Sequence, residues 1–204
     1  MADQLIPFLT AAILLTVSPG PDIIFVLVQG MANGKKYGLI TALGLVSGII
    51  IHTTLVAFGV SAIIRESEMV FVVIKIFGAL YLFFLAFKVF RSDPEIAFSA
   101  EGIQGRSFFS LFKQGFIMNV LNPKVTIFFL AFFPGFLWEP EGNTVFQFYV
   151  LGFLFMFQAI LIFGLVAALA GKISTYLQKH PSSGVVLKWV QVFVFIGIGF
   201  FVLM

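Results

Sequence analysis

Long apolar blocks alternate with short polar clusters along this chain. The blocks cover about residues 4–31, 38–64, 69–90, 113–138, 145–170 and 185–204. Each has the length of roughly 20 residues that a helix needs to cross the hydrocarbon core of a bilayer. The pattern predicts an all-α, polytopic integral membrane protein with six transmembrane helices. Connections are short except for a polar segment at about 91–112 that holds Asp93, Pro94, Glu95, Glu101, Gly102 and Arg106. The chain is thus expected to form a single transmembrane domain over 1–204: a first repeat at about 1–90, a loop at about 91–112, and a second repeat at about 113–204. Three spans per half make the second half enter from the opposite face, giving two inverted three-helix repeats, a frequent transporter architecture. Matched irregularities support the pairing. Pro21-Asp22 lies in the first span of one half and Pro123-Lys124 in the first span of the other, and Ile74-Lys75 is echoed by Leu187-Lys188.

Composition agrees. Of 204 residues, 60% are hydrophobic and only 10% charged, against roughly a quarter charged in soluble domains, so the outer surface must be largely lipid-facing. A net charge of +3 on such a chain marks topology and predicts no nucleic-acid partner. With no cysteine there is neither a disulfide framework nor thiolate chemistry. His52 and His180 make no metal-ligand spacing, so no metal and no cofactor is expected. No Lys or Arg precedes Lys35, and Asp3 stands where a signal peptide would be basic, so the first block is read as a mature span.

Basic residues set the expected orientation. The face opposite the N-terminus receives Lys35, Lys36, Lys88, Arg91, Arg106, Lys113, Lys172, Lys179 and Lys188, and the N-terminal face only Arg65 and Lys75. Positive residues near span ends favour the cytoplasm, which puts both termini outside it. Trp138 and Trp189 near opposite ends of spans four and six suit the interfacial belts.

Spans one and four are expected to be broken. Ser18-Pro19-Gly20-Pro21-Asp22 interrupts the first and Asn122-Pro123-Lys124 the fourth. Each proline lacks an N–H and frees the carbonyl four residues earlier: those of Leu15, Val17 and Asn119. Inside a bilayer such backbone survives only where protein buries it or it lines a cavity. A helix restarting after a break presents a partly positive N-terminus, suited to an anionic group. Ser18 is a candidate N-cap for the restarted helix. A charge at mid-bilayer costs about 2.5–3.5 kcal/mol on insertion scales. Asp22 and Lys124 at matched positions therefore suggest one shared central site. Two blander readings stand beside it: prolines that merely kink their helices, and a structural ion pair that never meets substrate.

These residues resemble the LysE/RhtB family of amino-acid exporters. The stretch "LLTVSPGPDIIFVLVQGMANGKKYGLITALGLVSG" is similar to the family's first two spans, with its T-P-G-P-D-like motif present as Ser18-Pro19-Gly20-Pro21-Asp22. The family's N-x-x-N-P-K motif reads Asn119-Val120-Leu121-Asn122-Pro123-Lys124. "IKIFGALYLFFLAFKVF" looks like its third span, and the likeness covers essentially the whole chain. Ser18 replaces the motif's threonine and keeps the hydroxyl. The resemblance implies proton-motive-force-driven export of amino acids across the inner membrane of a bacterium, with amino acid, protons and lipid as partners. It implies substrate contacts at Ser18, Pro19, Gly20, Pro21, Asp22, Asn119, Asn122, Pro123 and Lys124.

Other polar residues divide between roles. His52, mid-span, is either a proton relay together with Asp22 or a neutral side chain bonded to a carbonyl. Gln158 is read as inter-helix glue, and Gln29 as solvated. Gly44 and Gly48 form a G-x-x-x-G pattern, read first as a slot for a neighbouring span of the same chain and second as the seam of a homodimer. An enzyme is disfavoured: neither a His-Glu-x-x-His helix nor a Gly-x-Ser-x-Gly elbow is present, and no catalytic residue is assigned. The expected function is secondary export of amino acids, small neutral ones or their derivatives. An exporter of cations or other small metabolites on the same architecture is the alternative.

Overall fold

The computed structural model describes residues 2–93, 106–180 and 182–203; most of the polar segment expected at 91–112 therefore lies outside the described residues. The described residues are helical throughout, without a strand, joined by short turns. Helix α1 spans Ala2–Val17 and α2 Pro21–Ala32. A left-handed turn at Gly34 (φ 93°) leads into α3, Lys35–Leu55, which continues through a π-helical turn at Val56–Val60 into α4, Ser61–Glu66. Helix α5 is Glu68–Arg91, its first turn capped by the Ser67 hydroxyl, which accepts the Val70 N–H. Helix α6 is Phe108–Val120, and α7 is Pro123–Ile127, prolonged by a π turn at Phe128–Phe132 and a 3₁₀ turn at Phe133–Phe136. Helix α8 is Thr144–Ala168, α9 Ala170–Lys179 and α10 Ser182–Leu203.

Four continuous helical stretches are long and apolar enough to cross a bilayer: Lys35–Ile63, Met69–Arg91, Thr144–Ala168 and Ser182–Leu203. Two bent pairs bring the total to six. Gln4–Val17 and Pro21–Ala32 meet at 56°, and Phe108–Val120 and Pro123–Phe136 at 47°. The breaks fall where the prolines required them. One segment differs from expectation. The stretch after span five, read as a loop, begins with helix α9, whose Ala170 and Ser174 are buried.

Helix α3 is the hub. It packs against α2, α6 and α8, and it is the most enclosed of the four long stretches, 56% buried against 22% for α5 and 28% for α10. Missing side chains make these approaches possible. A Cβ on Gly44 would lie 2.2 Å from the Phe112 carbonyl oxygen, and one on Gly115 would lie 2.6 Å from that of Thr41. The G-x-x-x-G pattern thus seats α6 of the same chain, the first of its two readings. On the other side a Cβ on Gly152 of α8 would lie 2.4 Å from Thr53 Oγ1, again with no room for it. Helix α5 lies along α10, and Phe83 fills the notch left by Gly199.

Phenylalanine fills one end of the core. Phe129 stacks on Phe133 at 4.2 Å between ring centroids, Phe8 meets Phe133 edge-on at 5.2 Å, and Phe155 reaches Phe129 at 5.3 Å. The other end closes on small residues. A Cβ on Gly30 would fall 2.7 Å from that of Ala170, and one on Gly38 would fall 2.9 Å from that of Ala167.

Candidate functional site

The two breaks face each other between these ends. Each restarted helix has proline at its first position, where the missing N–H would have had no partner within the helix. Pro21 opens α2 and Pro123 opens α7, so Asp22 and Lys124 hold the same place, one residue further on. The residues just before them differ. Asn122 caps α7: its Oδ1 accepts the Lys124 N–H at 3.0 Å. Gly20 stands at the equivalent place before α2 and offers no side-chain cap. Ser18 is therefore not the N-cap of the restarted helix. With prolines at 19 and 21 the sequence allows a restart at either, and the chain uses the second. Ser18 is buried, and its Oγ has no hydrogen-bond partner among the described residues.

Side chains cross from each break to the other. The Asn122 amide donates to Asp22 Oδ2 at 2.7 Å. The Lys124 ammonium donates to the Ser18 carbonyl at 3.1 Å and lies 5.6 Å from the centre of the Phe195 ring. In an unbroken helix the Asp22 N–H would take that Ser18 carbonyl. Lys124 thus sits at the carbonyl end of α1, where a cation is favoured. Asp22 and Lys124 belong to one cluster, yet Lys124 is satisfied by backbone and ring and Asp22 by an amide, not by a direct ion pair. Asp22 Oδ1 remains without a partner among the described residues.

The fourth span's break is tied from a third element. The carbonyl of Asn119, which Pro123 frees, accepts the Asn122 N–H at 3.0 Å and lies 3.1 Å from His52 Nε2. A carbonyl only accepts, so Nε2 carries the proton and donates. This is the carbonyl-bonded role for His52. The ring also packs on Phe129, with centroids 5.6 Å apart. The Asn119 side chain lies against Gly48, whose absent Cβ would stand 2.7 Å from Oδ1.

Two further polar residues flank the cluster. Gln158 Nε2 donates to Thr16 Oγ1 at 2.9 Å, tying α8 to α1 as the glue reading expects. Gln29 is not solvated. It is fully buried, and its Oε1 accepts from Asn33 Nδ2 at 2.9 Å; its helix, α2, packs against α3, α8 and α9.

The breaks enclose a cavity of about 20 Å³, bounded by Ser18, Gly20, Asp22, Asn119, Asn122 and Lys124 with apolar walls from Leu15, Ile23, Ile49, Val125, Phe155 and Phe163. That is room for about one water molecule. All nine residues expected to serve the site lie on the two breaks, and six of them are brought together around the cavity; Pro19, Pro21 and Pro123 act through the backbone, and His52 attaches to the rim. Phe195 and Thr16 were not foreseen. Nothing in the local sequence marks either, since both are defined by contacts across the fold.

Comparisons with known proteins place this geometry in context. A family model described as LysE type translocator matches residues 13–204. An uncharacterized membrane protein of Vibrio cholerae is 29% identical over 173 residues, covering 84% of this chain and 83% of the relative. A leucine efflux protein of an Enterobacter species is 29% identical over 161 residues, 76% of each chain. An uncharacterized membrane protein of Bacillus subtilis is 29% identical over 170 residues, covering 78% of this chain and 80% of the relative. No solved structure matches the chain.

Proposed function

The chain belongs to the LysE type translocator family, and on that premise we propose that it carries small neutral amino acids, apolar ones such as leucine included, out of the cytoplasm in exchange for protons. It is a multi-pass membrane transporter, not an enzyme, and its general activity is amino-acid export. The single observation that carries the finer reading is that Asp22, one carboxylate oxygen unpartnered, and the Lys124 ammonium line one cavity between two broken spans without bonding to each other directly. An amino acid has one ammonium and one carboxylate, and this site has one group of each sign. A bare cation would be repelled by Lys124, which disfavours a cation exporter. The six apolar wall residues suit an aliphatic side chain, in keeping with the leucine efflux proteins among the relatives.

In this reading Asp22 Oδ1 receives the substrate ammonium and Lys124 the substrate carboxylate. Because the cavity admits only about one water, the half-helices must part to admit substrate. A proton arriving at Asp22 from outside removes the charge that held the ammonium and leaves the Asn122 bond to keep the side chain in place. The membrane is the plasma membrane of a bacterium. The nine basic residues on one face against two on the other orient both termini away from the cytoplasm. The pairing of α3 with α8 and of α5 with α10 supports an inverted repeat, since it joins the second span of each half, and the third.

The test is transport by purified protein in vesicles under an imposed pH gradient, with leucine and its decarboxylated amine compared. Leucine should move and dissipate the gradient. Lys124→Gln should weaken leucine transport at least tenfold while changing the amine less than threefold. Equal losses for both would remove Lys124 from carboxylate recognition.

A further inference from the structure

Away from the two breaks, α5 and α10 enclose an apolar groove of about 470 Å³ whose walls include Phe83, Phe87 and Phe90 of α5 and Trp189, Val192 and Phe200 of α10. From Trp189 to Phe200 the groove runs eleven residues of helix, about 16 Å at the rise of an α-helix. That is half the roughly 30 Å hydrocarbon core, the depth of a single leaflet.

Only the Trp189 end is charged. Lys188 Nζ donates to the Ser92 carbonyl at 2.8 Å and lies 5.7 Å from the centre of the Phe90 ring. The Arg91 guanidinium lies 5.5 Å from the centre of the Phe87 ring. Both cations are thus held against rings that line the groove. Trp189 meets Phe90 edge-on at 5.7 Å and closes the mouth. Lys88, one turn before Arg91, is exposed beside them. The described part of α5 and α10 at this end carries no carboxylate other than Asp93 just past the helix.

We propose that this groove is a binding site for an anionic phospholipid, with one acyl chain along α5 and α10 and the phosphate at Arg91 and Lys188. The length of the groove matches an acyl chain of one leaflet, and its only polar end is doubly cationic. A neutral lipid would satisfy the walls but leave the two cations without a net anionic partner. A guanidinium offers paired donors to phosphate oxygens, and the Lys188 ammonium keeps two donors beyond the one given to Ser92. The site is independent of the substrate cavity, so it stands or falls apart from the export reading.

Trp189 reports on it directly. The chain has two tryptophans, and Trp138→Phe leaves Trp189 alone. That protein is reconstituted in phosphatidylcholine vesicles containing a fixed small fraction of lipid brominated on the acyl chain, either phosphatidylglycerol or phosphatidylcholine. Brominated phosphatidylglycerol should quench Trp189 more strongly than the same fraction of brominated phosphatidylcholine. The preference should fall roughly fivefold for each cation removed, in Arg91→Gln and in Lys188→Gln, since a basic residue near an anionic surface contributes about that factor. Raising the salt should reduce the preference in the wild type and leave the double variant unchanged. Equal quenching by the two lipids overturns the proposal, as does a preference that survives the double variant. So does a Trp189 that neither lipid quenches, which would mean that a second copy of the chain covers the groove.

Discussion

The two broken spans have the same plan and opposite finish. Each ends a half-helix, restarts on proline and carries a charge one residue later. In the fourth span more is tied down: Asn122 caps the restarted helix, His52 and the Asn122 N–H share the freed Asn119 carbonyl, and the Asn119 side chain lies in the notch of Gly48, with its Oδ1 unpartnered among the described residues. In the first span the cap is a glycine, the Ser18 hydroxyl has no partner, and one oxygen of Asp22 has none either. What holds it together is borrowed from the fourth span, through Asn122 and Lys124. The fourth span is thus the frame, and the first carries the larger share of the unmet bonding capacity that a ligand can use. Buried polar atoms without partners cost about 1–3 kcal/mol each, and three of them, Ser18 Oγ, Asp22 Oδ1 and Asn119 Oδ1, line the one cavity between the breaks.

Substitutions can break this contrast. Asp22→Asn removes the carboxylate and keeps size and hydrogen bonding. Proton-driven export should fall at least a hundredfold while the protein inserts and folds normally. Undiminished export under a pH gradient would take Asp22 out of the mechanism and erase the distinction between the breaks. Asn122→Ala should come next, acting through stability. It removes the cap of α7, worth about 1 kcal/mol, and a hydrogen bond to a charged group worth about 1.5–3 kcal/mol. A loss of about 2–4 kcal/mol should appear as a lower midpoint of thermal unfolding in detergent. A midpoint within 1 °C of wild type would mean that the fourth span does not hold the first.

His52→Gln sharpens the comparison with the smallest effect. Glutamine can still donate to the Asn119 carbonyl but cannot titrate in the physiological range. If His52 only secures the frame, export should stay within about twofold of wild type, with an unchanged dependence on external pH. His52→Leu, which removes one of the two donors to that carbonyl, should lose about 0.5–1.5 kcal/mol of stability. A well-folded His52→Gln protein that no longer couples to the pH gradient would make the imidazole a proton carrier.

The spans and their breaks were legible because bilayer thickness and proline chemistry act on short stretches. Six apolar blocks and three prolines predicted the two bends to within a residue or two. The crossing contacts were not, since Asn122 meets Asp22 a hundred positions away and no periodicity encodes such a pairing. Ser18 was misplaced as a cap because a helix tolerates proline anywhere in its first turn, which left two restart points open. Gln29 reads as solvated because it sits at a span end; its burial follows from tertiary packing at that end, where Ala167 and Ala170, far along the chain, close on the neighbouring Gly30. Helix α9 went unrecognised because ten residues with lysines at both ends resemble a connection.

The cavity at the breaks has one more consequence. With about 20 Å³ between rings at one end and a seam of glycine and alanine at the other, this conformation has no room for an amino acid at the breaks. The same closure weakens the hold on cargo, since apparent affinity falls in proportion to the fraction of molecules that are open. If about one molecule in a hundred is open, half-saturation needs about a hundredfold more amino acid than the open site alone would require. A carrier built this way behaves as an overflow valve, nearly idle at ordinary concentrations and responsive to excess. Efflux from vesicles should then rise almost linearly with internal amino acid well beyond the concentration that half-fills a variant whose glycine–alanine seam has been loosened.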